Sequence, residues 1–469
     1  MALTRPQRIR SCQTKTPTKE FAENEWRVLT TNPSSPATIA PRMAIGPIQL
    51  LRQATTEQRR TLLAASLGWM LDAFDAMLYT LVLTHIMRDL GMSMATSGFL
   101  NMLTLLASGI GGVSFGFVAD RVGRKRALML SILTYSICSF ASGLSTTVLM
   151  LAVFRFILGL GMGGEWNTGA TLVAETWPDE LRAKAISVVQ SSWAIGFALA
   201  ALVSGIVLRY ASWRYVFFVG ILPALITLWI QSRVPESEMW KEHRRLRLID
   251  EGQKLEPQGT QGSQGNTSFL AIFRAPYLKS TVALLLLNFF GMFGWWGLFT
   301  WLPPYLSLPV EQGGRGFGVM GTTTLLVILN VFGMFPGYLS FGWVADHLGR
   351  RRSFMLYTFM AALLVPLYAM ARSPFALLVL GTVVAFFGTG MFSGSGIIAS
   401  EIFPTRLRAR ALGFTYNGAR TLSSVAPYVI GRVGQARGLS WAFYLCGAGF
   451  ALACLMATQL PETKGKRLE

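Results

Sequence analysis

Five charged residues stand inside long apolar runs of this chain: Asp72, Asp75, Arg155, Glu165 and Arg420. Asp72 and Asp75 are three positions apart, so on a helix they share one face. Two neighbouring carboxylates in a poorly solvated place repel each other, and such a pair can load and release a proton. Glu165, beside Trp166 and Asn167, is either a further proton carrier or an ionic partner of Arg155. Arg420 cannot discharge and therefore needs an anion, either a bound carboxylate or a fixed acid such as Asp72 or Asp75. Tyr416 and Asn417 lie one turn before it, and with Arg155 and Asn288 they complete the candidates for binding a small polar solute. The bland reading of all these residues is a set of structural ion pairs and backbone bonds.

The elements that must position them are set by composition. Hydrophobic residues make up 52% of the 469 and charged residues 14%, against about 25% charged in soluble domains. A helix crossing a bilayer needs about 20 mostly apolar residues. Twelve such runs occur, near 62–87, 96–119, 127–146, 149–172, 185–208, 213–232, 278–302, 318–343, 353–371, 374–399, 410–431 and 440–460. The expected fold is all-α, with both faces of most helices in lipid or protein. A charge near the bilayer centre costs at least about 2.5–3.5 kcal/mol on insertion scales, so the five charges are expected beside partners or a watery cavity.

The net charge of +19 follows topology rather than a nucleic-acid surface. Arg121, Arg124, Lys125 and Arg126 follow the second run, Arg350, Arg351 and Arg352 the eighth, and Arg406, Arg408 and Arg410 the tenth, with Lys464, Lys466 and Arg467 at the end. With alternating helices these lie on one side, which the positive-inside rule makes cytoplasmic together with both termini. Cys12, Cys138, Cys446 and Cys454 have no metal or redox spacing. No phosphate-binding loop follows a strand and no nucleophile constellation appears, so neither enzyme chemistry, a cofactor, a metal nor an ATP-driven pump is expected. Residues 1–60 contain no apolar core and do not read as a cleavable signal peptide.

An internal repeat divides the chain. "SFGFVADRVGRKR" at 114–126 returns as "SFGWVADHLGRRR" at 340–352, with Asp120 and Asp346 226 positions apart. Glu175, Pro178 and Arg182 meet Glu401, Pro404 and Arg408 at the same offset, as Pro235 and Glu236 meet Pro461 and Glu462. Six helices separate equivalent positions, so the halves are parallel repeats. The expected organisation is a tail (1–60), a six-helix bundle (61–232), a central loop (233–277), a second bundle (278–460) and a short tail (461–469), the loop opening with a charged stretch that suits a surface helix.

Gly116, Asp120, Arg121, Gly123 and Arg124 resemble the signature of the major facilitator superfamily between its second and third helices. Gly342, Asp346, Gly349 and Arg350 form a weaker copy, with His347 in place of the preferred Arg. The resemblance implies a twelve-helix transporter of the bacterial inner membrane in which these residues latch the bundles, and Glu175 with Arg182 and Glu401 with Arg408 are expected gate salt bridges. Arg155 with Gly159, Gly161 and Gly163 is similar to the family's fourth-helix Arg-Gly pattern, linked there to proton coupling. The Gly-Gly-Glu-Trp run at 163–166 and the Asp-x-Phe-Asp of Asp72 and Asp75 are most similar to the sialate:proton and aromatic acid:proton symporters. The implied partners are protons and a small organic anion, carried by a single chain in the lipid bilayer. A neutral-solute symporter or an efflux antiporter stays open beside this, and a nutrient sensor of the same fold more remotely.

Overall fold

A backbone facing hydrocarbon must satisfy its own N–H and C=O groups, and the apolar runs do so as helices. The computed structural model describes residues 54–238, 240–242, 244–245 and 269–464, and among them there is no strand. The first six helices are α1 (Thr56–Leu90), α2 (Met94–Val122), α3 (Arg124–Gly143), α4 (Val148–Thr176), α5 (Asp179–Tyr210) and α6 (Trp213–Arg233), the last divided by a turn at 220–222. The second six are α7 (Leu278–Ser307), α8 (Val319–Leu348), α9 (Arg350–Met370), α10 (Pro374–Ile402), α11 (405–437) and α12 (Leu439–Ala457). Ten of the twelve are long and apolar enough to cross a membrane by length and composition alone. The other two are α3, which opens on Arg124, Lys125 and Arg126, and α11, which is broken into pieces and holds Arg420 and Arg432.

The expected boundary of α1 moves outward for a local reason. Thr55 and Gln58 form a capping box, with Gln58 N–H donating to Thr55 Oγ1 (3.2 Å) and Thr55 N–H to Gln58 Oε1 (2.9 Å). The helix therefore starts at Thr56, inside the expected tail, and residues 1–53 lie outside the described ones. Most of the expected central loop, 246–268, also lies outside them. Its charged opening is irregular over 234–237 and helical beyond that where described, and Trp240 docks it by donating from Nε1 to the Asp120 carbonyl at 3.0 Å.

In the first half α2 and α3 pack on α4, and α1 packs on α5; in the second α7 and α9 pack on α12, and α8 on α10. The halves meet along α2–α11, α5–α8 and α1–α7. At the end holding the α1–α2 loop this seam is tight: Asn101 Nδ2 donates to Thr300 Oγ1 (3.0 Å) and the Ala95 N–H to Gln435 Oε1 (3.2 Å). Trp301 is fully buried there and donates from Nε1 to the Pro427 carbonyl at 2.8 Å. Large apolar side chains such as Leu149, Leu228, Phe332 and Leu455 are exposed on the outside, the surface an integral membrane protein presents to lipid.

Candidate functional site

Helices from both halves converge on one cavity of about 340 Å³, its opening included. Trp69 from α1 and Gln190 and Trp193 from α5 line one side. Met292, Trp295 and Trp296 from α7, Tyr338 from α8, Phe392 from α10, and Tyr416 and Arg420 from α11 line the other. The indoles form a continuous wall: Trp69 lies 4.7 Å from Trp193, Trp193 lies 6.1 and 6.0 Å from Trp295 and Trp296, and those two lie 4.9 Å apart. Trp166 stacks behind Trp69 at 4.5 Å.

The wall is apolar in area but rich in donors. Trp69 Nε1, Trp193 Nε1, Trp295 Nε1 and Arg420 Nη2 are buried without a hydrogen-bond partner among the described residues. An orphaned buried donor costs about 1–3 kcal/mol, more when charged. The arrangement therefore favours a ligand that brings acceptors and a flat or apolar body. Arg420 is 6% exposed, stands 5.9 Å from the Trp69 ring centroid, and makes no ion pair within 4.0 Å to Asp72, Asp75 or Glu165. A permanent salt bridge to the helix-1 acids, open on sequence grounds, is thus not formed here.

Behind the cavity lie two buried groups of acids. Asp72 and Glu165 are within electrostatic reach of each other and of Arg420, with both oxygens of Asp72 and Oε2 of Glu165 lacking a hydrogen-bond partner. Asp75, one turn on, accepts from Ser139 Oγ at 2.9 Å and shares its charge environment with Arg155 and Asp72. Arg155 is fully buried, sits 4.7 Å over the Tyr79 ring, and has no hydrogen-bond partner for Nε, Nη1 or Nη2. The acid within its electrostatic reach is Asp75 rather than Glu165, whose carboxylate lies against α1 where Gly68 leaves room for it.

Of the five substrate-binding candidates, only Tyr416 and Arg420 line the cavity. Arg155 is held in the first bundle, and Asn417 is half-buried outside the lining. Asn288 is buried outside it too, with both ends of its amide used: Nδ2 donates to the Thr415 carbonyl (3.2 Å) and Oδ1 accepts from Ser395 Oγ (2.6 Å). Trp69, Gln190, Trp193, Met292, Tyr338 and Phe392 were not singled out in advance. Aromatic and aliphatic residues in an apolar run carry no signal that separates cavity from core.

The repeated segments form two equivalent clusters at the other end of the molecule. Gly123 (φ 110°) and Gly349 (φ 96°) join α2 to α3 and α8 to α9 in a conformation that favours glycine. Arg124 pairs with Asp120 (2.5 Å) and Glu175 (3.3 Å), and Arg350 with Asp346 (3.0 Å) and Glu401 (2.8 Å). Glu175 and Glu401, the acids expected to pair with Arg182 and Arg408, thus reach the signature arginines. Those arginines open α3 and α9, and the acids stand near the ends of α4 and α10. Arg182 bonds the Trp177 carbonyl (3.4 Å). Gly116 and Gly342 have open space beside them, and Arg121 is exposed. Two residues outside the signature complete the clusters. Glu236 accepts from the Lys125 N–H (3.1 Å), and Glu462 from the N–H groups of Arg350 (2.8 Å), Thr463 (3.0 Å) and Lys464 (3.1 Å). Their recurrence at the 226-residue offset was the available signal.

Two six-helix halves with repeated ion-pair clusters at one end, a seam at the other and a mid-molecule cavity between them define a membrane transporter built on a parallel repeat. The Major Facilitator Superfamily family model matches residues 65–340 and 314–469, and the chain belongs to that superfamily. It is 30% identical over 412 residues to a sialic acid transporter of Escherichia coli (strain K12), covering 86% of this chain and 94% of that one. It is equally 30% identical over 425 residues to a probable 4-methylmuconolactone transporter of Cupriavidus pinatubonensis (strain JMP 134 / LMG 1197), covering 89% and 94%. Among solved structures, a D-xylose-proton symporter superposes with a TM-score of 0.69 at 21% identity, over 88% of this chain and all of that one. That likeness shows the fold. The family read from the signature is borne out, as is its twelve-helix architecture.

Proposed function

We propose that the protein imports a small organic acid together with protons across the bacterial inner membrane, by alternating access to the aromatic cavity. The carrying observation is the set of four buried donors, three indole N–H groups and Arg420 Nη2, on the cavity-lining residues. A carboxylate accepts from such donors, and an arginine fork matches it in shape and charge. Asp72 and Glu165, electrostatically tied to Arg420, then serve as the acids whose protonation answers substrate charge, with Asp75 and Arg155 as a deeper pair. The basic latch end faces the cytoplasm in this reading, with both termini on that side, and residues 61–232 and 278–460 rock as two bundles about the cavity. The tight seam at the α1–α2 loop end corresponds to a state closed toward the outside. The relative named for sialic acid supports an acid as the cargo.

The test uses the cavity tryptophans as reporters. Purified protein is titrated with benzoate, nicotinate, N-acetylneuraminate and xylose while tryptophan fluorescence is followed, and proteoliposomes are then assayed for uptake with a pH-sensitive dye inside. The proposal expects quenching by at least one acid and acid uptake that carries protons inward. Quenching by xylose alone identifies a neutral-solute carrier, and proton movement opposite to the solute identifies an antiporter; either result overturns the reading.

A further inference from the structure

Helix α11 is not one continuous α-helix. Residues Gly413–Gly418 make a π-turn between α-helical pieces, and that turn carries Tyr416 and leads directly into Arg420. A π-turn inserts an extra residue into the helical ladder and leaves a backbone group without its usual partner. Here the displaced group is the Thr415 carbonyl. In an α-helix it would receive the Ala419 N–H, but that N–H bonds to the Tyr416 carbonyl. The Thr415 carbonyl instead accepts from Asn288 Nδ2 on α7 (3.2 Å), and Asn288 Oδ1 is fixed by Ser395 Oγ on α10 (2.6 Å). All three residues are buried, so no solvent competes for these bonds.

The internal repeat supplies a control within the same chain. At the 226-residue offset Ser395 and Thr415 correspond to Gly169 and Val189, and Gly169 has no hydroxyl with which to hold an amide against the Val189 carbonyl. The helix holding Val189, α5, runs as unbroken α-helix from Asp179 to Tyr210. The clamp and the π-turn therefore occur together in the half that supplies Arg420, and both are missing at the equivalent place in the other half.

We infer that Asn288, held by Ser395, is a positioning residue: it stabilises the π-turn that aims Tyr416 and Arg420 into the cavity, and so sets affinity for the acid without touching it. This rests on the reading that Arg420 holds the substrate carboxylate. Removing the amide leaves the Thr415 carbonyl orphaned and lets the turn relax toward regular α-helix. That rotates the residues after it by a large part of a helical step and swings the guanidinium off the cavity.

The experiment is a double-mutant cycle of binding constants, measured by tryptophan quenching with whichever of benzoate, nicotinate or N-acetylneuraminate binds wild type most tightly. Asn288→Ala is expected to raise Kd about tenfold with the melting profile still cooperative. Ser395→Ala, which keeps the amide but frees its far end, should raise Kd by a smaller factor and serves if Asn288→Ala does not fold. In an Arg420→Lys background both substitutions should have little further effect, because the group they aim is no longer an arginine fork; a purely structural role would instead lower stability and add its full effect in either background. Unchanged Kd in Asn288→Ala and Ser395→Ala, or effects that add fully to Arg420→Lys, overturn the inference while leaving the anion reading intact. Unchanged Kd in Arg420→Lys, or no binding of any acid by wild type, removes the anion reading and the inference with it.

Discussion

Gly98 offers a way to force the transporter open at its sealed end. A Cβ built there would lie 2.9 Å from Pro427 C and 3.0 Å from Tyr428 Cα, and closer still to Pro427 O. These are backbone atoms of α11, so no side chain can rotate away and the seam itself must part. Overpacking of this kind costs about 1–3 kcal/mol, and the cost falls only on the state in which α2 and α11 touch. The equilibrium between the sealed and parted states should then move by about 5- to 150-fold toward the parted one. Leu105, seven residues on and so on the same face of α2, is 2% exposed and would be uncovered. In a background without the native cysteines, Leu105→Cys is treated with a membrane-impermeant maleimide from the α1–α2 loop side, with and without Gly98→Ala. Labelling should accelerate by roughly that factor. Gly116→Ala is the matched control, because nothing lies within 4 Å of its Cβ position. Equal labelling rates in a folded Gly98→Ala protein would refute the reasoning and show that the seam yields without parting.

Arg420→Lys should preserve folding and weaken binding of the acid by about 1.5–3 kcal/mol, the scale of a charged hydrogen bond, or 10- to 150-fold in Kd by the fluorescence titration. An unchanged Kd moves the anchor elsewhere. Asp75→Asn retains an acceptor for Ser139 but cannot titrate, so counterflow should survive while pH-driven accumulation disappears. Wild-type accumulation would hand the proton to Asp72 or Glu165. Against the penalty of partial burial, backbone N–H donors led by that of Arg350 hold the Glu462 carboxyl below its ordinary value. A lowered value in the folded state means that the carboxylate stabilises above the ordinary carboxylate range and that this contribution is lost as pH falls through the folded value. Glu462→Gln should therefore melt below wild type at neutral pH, with the gap closing as pH falls below the ordinary carboxylate range; a gap that does not depend on pH contradicts the cap.

The architecture was legible because it rests on local physics. Twenty-residue apolar runs have only one way to satisfy their backbones in lipid, and a 226-residue repeat of the Asp-Arg-Gly segments states the two-half plan outright. The same repeat marked Glu236 and Glu462, although each caps a helix that starts more than 100 residues earlier in the chain. Charge in an apolar run likewise pointed to Asp72, Asp75, Arg155, Glu165 and Arg420, since each is costly wherever it goes. What the sequence did not hold was partnership, which depends on which helix faces travel together across hundreds of residues. Glu175 and Arg182 are seven apart on paper, yet Glu175 also pairs with Arg124, 51 positions away. Asn288 looked like a cavity residue because a buried amide needs partners, and the fold supplies both of them from α10 and α11 instead. Trp69 and Trp193 were illegible for the opposite reason: an indole satisfies an apolar run equally well against lipid, core or substrate, and only the convergence of α1, α5 and α7 decides which one it meets.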